Sequence, residues 1–465
     1  MTVLTNGSGE LEVTVVSREF VKPSTPTPAD LKIFKISFLD QILPSAYVPV
    51  VFHYPIADGE DNIKDALARL KSSLSDTLSR FYHLAGRLKD HTSIHCNDDG
   101  ILYVETQVNC HLSEYLKRRE LEVLHRFIPF QDFVAEPENT LVQLAVQVNV
   151  FAAGGIAIGV SMSHKAIDAS TLASFLKCWA ALCSGCKEKA IFPDLAAGPA
   201  LFPTRSEQLP RSMGYLKESW LKEGKSVLRR FVFDRPAIKA LKAKAATELA
   251  PNPGSSQVVT GLIWKSAMAA SKAVKGSQQA SMLAFAVNMR TRTVPPVSEH
   301  ATGNIFWLTM AYQEATQAQE EDGTALKAVV GRLAEAIKRV NVDFVRSLQG
   351  EEGVQQVLRE MEERDGFQAR EKPEVFMASS LTCFRFTELD FGWGKPVWVC
   401  HAWGYPGSVL VNGLFLAETA GGDGVEAWLH LDEAEMAVLE ADPEFLSYAS
   451  PNPGVLLPVD PPASK

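Results

Sequence analysis

Val142-Gln-Leu-Ala-Val-Gln-Val-Asn-Val150, Ala152-Ala-Gly-Gly155, Ile156-Ala-Ile-Gly-Val-Ser-Met162 and Ser163-His-Lys-Ala-Ile-Asp168 follow one another closely in the chain. Val142, Leu144, Val146, Val148 and Val150 alternate with mostly polar neighbours, which predicts a half-buried strand. The Gly154-Gly155 pair turns the chain, and Ile156, Ile158, Val160 and Met162 form a second strand, so the two make a hairpin. His164 ends that strand, in phase with its apolar residues. Leu172, Phe175, Leu176, Trp179 and Leu182 then fall on one face of a helix. A hairpin feeding a helix through a histidine points to a mixed α/β fold.

Outward from this unit, the N-terminal side shows a strand at Glu12–Ser17, a break at Pro23-Ser-Thr-Pro-Thr-Pro28, and a strand-like run Phe34–Leu39. Ile63, Leu67, Leu70, Leu74, Leu78 and Phe81 recur at gaps of three and four and predict an amphipathic helix over Asp61–Phe81. On the C-terminal side, Leu195–Gly214 is rich in Gly and Pro without a period and reads as part of a linker. Beyond it come a strand near Arg230–Phe233, a helix over Ser256–Ala270 and a strand over Met282–Val287. A long helix carries Leu326 to Phe344, and Glu351–Lys372 reads as helix plus surface loop. An antiparallel meander is expected from Phe384–Phe386, Val397–His401, Val409–Leu416 and Glu426–Leu431. At 465 residues the chain exceeds one ordinary core. The expected division is 1–194, a linker 195–225, and 226–465.

A hydrophobic content of 46% describes a globular chain, and a net charge of -9 argues against general nucleic-acid binding. No apolar run reaches bilayer length and the N-terminus lacks a secretory pattern, so a cytoplasmic, non-membrane protein is expected. Seven scattered cysteines read as reduced, mostly structural thiols. Cys183 and Cys186 have redox or zinc spacing without a second Cys/His pair, and no metal site is expected.

His-x-x-x-Asp is a degenerate pattern: His95-Cys-Asn-Asp-Asp99 fits it too, in a polar turn that offers no site. At a strand end a neutral imidazole can take a proton from an alcohol or amine attacking a carbonyl. The same residue also suits a satisfied core histidine. Asp168 can orient that ring, or, standing just before the helix, can cap it; the capping role is preferred. No Gly-x-Ser-x-Gly elbow supports a serine hydrolase. Near the other end, Asp390-Phe-Gly-Trp-Gly-Lys-Pro396 offers two glycines that permit positive φ or close backbone approach. Trp393 can wall a tunnel, and an arginine can help Asp390 fix the turn. A tight turn with a core tryptophan explains the motif equally well.

Taken together and in this order, the two motifs resemble those of the plant BAHD acyl-CoA-dependent acyltransferase family. The resemblance runs nearly end to end. It includes Ser37-Phe-Leu-Asp-Gln41, Leu78-Ser-Arg-Phe-Tyr-His-Leu-Ala-Gly-Arg87 with His83 in place of the usual proline, Asn288-Met-Arg-Thr-Arg292, Gly303-Asn304 and Gly422-Asp-Gly-Val-Glu-Ala-Trp428. The Tyr-Phe-Gly-Asn-Cys signature of anthocyanin-acylating members is absent. The pattern is similar to the alkaloid- and terpenoid-acetylating members.

The resemblance implies an α/β fold of two chloramphenicol-acetyltransferase-like domains of mixed sheets and helices, with a channel at their interface. It implies His164 as general base in a ternary complex of acyl-CoA and a small-molecule acceptor, and a monomer without a permanently bound cofactor. Asp168 would pair with Arg290 and be mainly structural, and Asp390 would hold the architecture. Trp393 is a candidate oxyanion donor. Ser255, Ser256, Gly392, Trp393 and Gly394 are candidate contacts for CoA, and Lys265 is a weaker one. The expected reaction moves an acyl group, acetyl foremost, to a hydroxyl of a plant specialised metabolite such as an alkaloid or terpenoid. An amide-forming enzyme and a catalytically silent binding member are the alternatives. His83 is expected at a surface or turn.

Overall fold

The computed structural model describes residues 10–43, 46–56, 59–130, 142–152, 154–206, 225–315, 325–350, 352–401 and 412–455. Its architecture is mixed α/β, with two large sheets that each carry helices. The first sheet runs in the order Val13–Val21, Ile101–Val108, Leu144–Phe151, Ile156–Ser163, Tyr47–Tyr54 and Trp398–His401. The second runs Phe306–Gln313, Ser281–Asn288, Glu374–Ser380, Gly413–Glu418, Val425–Asp432, Ser226–Phe233 and Ser450–Pro451. Both mix parallel and antiparallel neighbours. A small third sheet joins Ile33–Lys35, Ser93–His95 and Arg87–Asp90.

The hairpin forms at Leu144–Phe151 and Ile156–Ser163 as its periodicity predicts, but it is not half exposed. Val146, Val148, Ile158 and Val160 pack under the helices Glu60–Arg80 and Ala169–Cys183, through Leu70, Leu74, Leu78, Phe175 and Trp179. The opposite face, including Phe151 and Ala157, meets Met282, Ala284, Phe415 and Trp428 of the second sheet's half. Covered on both sides, Ile156–Ser163 is buried throughout. The polar residues of the alternation are therefore buried too. Gln147 donates to the Arg126 carbonyl at 2.8 Å, and Asn149 to those of Phe127 and Ala157 at 3.0 Å each. Alternation reveals a strand's two faces, but not whether the polar face meets water or another half of the molecule.

Four other expectations change. The Phe34–Leu39 strand ends at Lys35, because Ser37 caps a one-turn helix, Phe38–Gln41, in a reciprocal box with Asp40. The long helix from Leu326 stops at Arg339; Asn341 caps a second helix, Val342–Gln349, by accepting from the Phe344 N–H at 2.9 Å. Glu351–Lys372 is helix from Gly353 to Glu371 rather than helix and loop. The meander is reduced to the hairpin Gly413–Glu418 and Val425–Asp432. Phe384–Phe386 is a turn with Arg385 at φ 54°. Trp398–His401 crosses into the first sheet beside Tyr47–Tyr54. Residues 409–411 of the meander and 207–224 of the linker lie outside the described residues.

The crossing strand is anchored to the second sheet. Trp398 stacks on Trp428 at 5.7 Å and donates Nε1–H to Glu426 at 3.2 Å, and Glu426 is held by the buried Arg230 through two contacts of 2.7 Å. The second half's own core lies between its sheet and the helices Ser255–Lys275, Leu326–Arg339 and Glu433–Glu440.

His83 is not at the surface. It sits in a 3-10 turn, Tyr82–Ala85, fully buried and stacked on Phe34 at 4.6 Å. Burial lowers its pKa to about 3, and does the same to His53 and His401. The neutral rings favour the folded state above the unfolded histidine pKa. Below it the unfolded chain binds protons that the folded chain does not. Stability is therefore expected to fall from about pH 6.5 towards pH 3, by ~1.4 kcal/mol per pH unit for each such histidine. Urea midpoints across that window would check the slope. His83→Leu should remove one histidine's share of it, leaving those of His53 and His401.

Candidate active site

His164 stands where the strand Ile156–Ser163 ends and the two halves meet. Its backbone N–H donates to the Ala46 carbonyl at 2.8 Å, which continues the pairing with Tyr47–Tyr54 by one residue. The ring is partly accessible and lies 5.5 Å from the Phe306 ring of the second half. Its Nδ1 is 2.9 Å from Oδ1 of Asn304. Nε2 makes no hydrogen bond among the described residues. Desolvation holds the His164 pKa below its ordinary value, opposed by the charge of Asp168 and the Asn304 contact. The neutral ring, the form that can accept a proton, is thus favoured.

Asp168 is turned away from the imidazole. Its Oδ1 caps the helix Ala169–Cys183 by accepting from Thr171 N–H at 2.8 Å. The two carboxylate oxygens form a forked pair with the Arg290 guanidinium at 2.6 and 3.0 Å. The Ile305 N–H adds a contact at 3.2 Å. Arg290 is equally buried and spends further donors on the carbonyls of Ala301 and Gly303. Capping residue and ion-pair partner are therefore one residue. The pairing also ties the first half to the second.

The segment Ser37–Asp40, which reads along the chain as the end of a strand and as a family mark, belongs to the site. Asn304 donates Nδ2–H to Asp40 at 2.7 Å and to the His164 carbonyl at 2.9 Å, and its backbone N–H donates to Asp40 at 2.8 Å. Ser37 gives Asp40 two more donors, N–H at 2.8 Å and Oγ–H at 2.6 Å. Burial raises the Asp40 pKa, and these donors oppose that rise. Buried Lys165 fastens the same segment by donating to the carbonyls of Gln41 and Leu43 at 3.1 and 2.9 Å. The Ser-x-x-Asp capping pattern was a readable signal for the local turn, but its meeting with Asn304 was not.

A cavity of about 660 Å³ opens nearby in the second half. Its lining includes Ser255, Ser256, Asn288, Arg292, Ser380 and Thr382. Asn288 pairs across the ladder with Phe306, whose ring neighbours His164. Ser255 and Ser256 open the helix Ser255–Lys275, so backbone N–H groups without an intrahelical acceptor lie at this wall. Ser256 Oγ is shared with Ser380 at 3.0 Å and Thr382 at 2.7 Å. Lys265 does not line this cavity: it pairs with Glu444 at 2.5 Å.

Nor do Gly392, Trp393 and Gly394 line it. The turn is closed by Asp390 itself, whose Oδ1 accepts from Gly392 N–H at 2.7 Å and Gly394 N–H at 2.9 Å, not through an arginine. Arg69 instead grips the turn's backbone, donating to the carbonyls of Phe391 at 3.2 Å and Cys183 at 2.7 Å. Gly392 has φ 107°, and a Cβ there would lie 2.3 Å from Arg69 Nη2. Trp393 lies parallel to Phe391 at 5.9 Å and edge-on to Tyr54 at 6.3 Å. Tyr54 pairs with Ile156, at the opposite end of the strand from His164. At ~3.3 Å per residue this separation is roughly 26 Å, so Trp393 is not placed to donate to an oxyanion at His164. Its Nε1 is buried with no hydrogen-bond partner among the described residues.

His95 and Asp99, the second match to the same spacing, form no such site. His95 is exposed at the end of its short strand, and Asp99 bonds locally to Asn97. All seven cysteines are free thiols, and Cys183 is buried. Among the described residues no helix is long and apolar enough to cross a membrane.

Known proteins share this arrangement of sheets and sequence. The family model described as "Transferase family" matches residues 11–446. The chain is 37% identical over 463 residues to limonoid 7-O-acetyltransferase of Citrus sinensis, covering 95% of this chain and 99% of that protein. It is 36% identical over 444 residues to stemmadenine O-acetyltransferase of Catharanthus roseus, covering 94% and 97%. The crystal structure of vinorine synthase, an enzyme of Rauvolfia serpentina, superposes with a TM-score of 0.76 at 32% identity, covering 94% of this chain and 99% of that one. A family match over nearly the whole chain, full-length relatives and a shared fold establish that the chain belongs to the BAHD acyltransferase family of plant transferases.

Proposed function

We propose that this protein is an acyl-CoA-dependent O-acyltransferase. It moves an acyl group, acetyl foremost, to a hydroxyl of a plant specialised metabolite of the alkaloid or terpenoid kind. The observation that carries the reading is His164 itself. The ring is buried enough to stay neutral, is bound at Nδ1, and has Nε2 uncommitted at the junction of the two halves. The names of the full-length relatives support the acetyl group and the hydroxyl acceptor.

In this mechanism Nε2 removes the acceptor proton while the alcohol oxygen attacks the thioester carbonyl. The tetrahedral intermediate collapses, the carbon–sulfur bond breaks, and the thiolate takes the proton back from the imidazolium. Both reactants occupy one channel between the halves, which aligns them and keeps water from the thioester. Acyl-CoA is a cosubstrate that arrives and leaves with each turnover. Its pantetheine arm and phosphates would lie in the cavity beside Ser255, Ser256 and Arg292, where a helix N-terminus and a cation favour negative charge. Asp168 and Arg290 hold the halves in register, and the Asp390 turn does the same at the far end. The division at 195–225, a cytoplasmic location and a monomeric state belong to the same proposal.

Arg292→Ala should raise KM for acetyl-CoA roughly tenfold, the value of one charge-assisted hydrogen bond, while kcat changes little. Initial-rate kinetics at saturating acceptor would check the split. Protonated His164 cannot act as base, so kcat/KM must fall as pH drops through its pKa. Because burial lowers that pKa, the acid limb should lie below the ordinary histidine value of about 6.5. A pH–rate profile with a limb above that value would contradict the assignment. The reaction class is tested by incubating several acyl-CoAs with alkaloid and terpenoid alcohols and with amines, reading product mass. Ester formation that requires His164 supports the proposal; amides alone, or no product in any combination, would overturn it.

A further inference from the structure

Asn304 links His164 to a carboxylate 264 positions away from it in sequence, Asp40. Two oxygens face the Asn304 Nδ2: Asp40 Oδ1 at 2.7 Å and the His164 carbonyl at 2.9 Å. An amide turned the other way would place Oδ1 against both, with no proton between. Only one orientation therefore satisfies the group, and in it Oδ1 points at His164 Nδ1 from 2.9 Å. Oδ1 can accept but cannot donate, so a neutral imidazole meeting it must carry its proton on Nδ1. The lone pair is then on Nε2.

We infer that Asn304 and Asp40 are positioning residues that select the Nδ1–H tautomer of His164. The inference rests on His164 being the base. The role of orienting the ring, which sequence reading offered to Asp168 as one possibility, passes to an amide held by a carboxylate. Asp40 can serve because four donors converge on its two oxygens, two from Ser37 and two from Asn304, so its position is fixed from both sides. Lys165 pins the carbonyls that follow it. Asp40 and His164 belong to the first half and Asn304 to the second. The reactive tautomer is thus selected only when the halves are docked. Separation of the halves leaves Nδ1 to water, and either nitrogen can then hold the proton.

The direct test is the tautomer itself, read by long-range ¹⁵N–¹H correlation spectra of the full-length protein labelled at histidine ring nitrogens. The His164 signals are assigned by their loss in His164→Ala. Near neutral pH the wild type should show a pyrrole-type Nδ1 and a pyridine-type Nε2 for His164. Asn304→Leu, similar in shape but without an acceptor, should shift the ring to a mixture of tautomers. It should lower kcat by about 10²-fold with little change in KM for acetyl-CoA. Asp40→Asn should act in the same direction less strongly, because an amide at 40 can accept or donate and no longer dictates how Asn304 turns. A purely structural role would move the thermal midpoint without moving the tautomer in the protein that remains folded. An Nε2–H ring in the wild type would overturn the inference. So would a folded Asn304→Leu protein with the wild-type tautomer and turnover. Should Asn304→Leu fail to fold, the wild-type spectrum and Asp40→Asn carry the same decision. An Nδ1–H ring combined with an active His164→Ala would instead overturn the base assignment, leaving the tautomer selection intact.

Discussion

His164→Ala should lower kcat by about 10²–10⁴-fold, the usual contribution of a positioned general base, and leave the protein folded. The two halves of that expectation have separate grounds. The chemistry needs a group that takes a proton from a neutral alcohol, and among the described residues His164 is the histidine whose ring meets both Asn304 and Phe306. The fold needs little from the ring. Its one side-chain hydrogen bond is to Asn304, which keeps its contacts with Asp40 and the residue 164 carbonyl when the ring is removed. The space left beside Phe306 costs some packing, but the ring is partly accessible and water can enter. A circular dichroism spectrum and thermal midpoint near those of the wild type, with acetyl transfer reduced to a trace, is the expected pair of results. Near-normal turnover would end the base assignment, and with it the catalytic reading of the motif.

Asp168→Ala should behave differently. It removes the partner of a buried guanidinium, and breaking such a pair costs about 3–5 kcal/mol because the remaining charge is stranded. The same substitution deletes a helix cap, worth about 1 kcal/mol. These effects share one carboxylate and do not simply add. The side chains of Asp168 and Arg290 are only 5% and 2% exposed, so solvent offers little relief. Arg290 would keep its bonds to the Ala301 and Gly303 carbonyls, which cannot balance its charge. The urea midpoint and the soluble yield should fall sharply. Any loss of kcat in the fraction that remains folded should be smaller than that of His164→Ala. A well-folded Asp168→Ala protein as inactive as His164→Ala would refute a mainly structural Asp168. Asp168→Asn refines the comparison, since it retains a cap acceptor but not the charge.

Much of the fold was legible because its signals are local. The helix Glu60–Arg80 announces itself by leucines at intervals of three and four, and the hairpin at 144–163 by alternation around two glycines. Asp168 as a cap followed from its place just before a helix. The structure departs from the sequence reading where two local signals compete for the same residues. Ser37 and Asp40 form a capping box inside what reads as a strand, and Asn341 caps a new helix inside what reads as one long helix. A polar residue in a turn is usually accessible, which is why His83 reads as a surface residue. Here the turn is folded under Phe34, and the ring has been treated as an apolar one.

The amino-acid sequence by itself determined the family and the elements with a clear period, and it singled out His164 as the candidate base. Periodicity and capping are properties of neighbouring residues, and motif order is read along the chain, so all three are present before any tertiary contact forms. Only the tertiary structure decided what His164 touches. It placed Asn304, 140 positions away, against Nδ1, drew in Asp40 behind it, and turned Asp168 to Arg290. It also sent Trp398–His401 into the first sheet and left Trp393 at the far end of that sheet from the histidine. Contacts of this kind follow from how two sheets pack face to face and which strand ends meet. That arrangement depends on the burial of whole surfaces, not on any spacing that can be read along the chain.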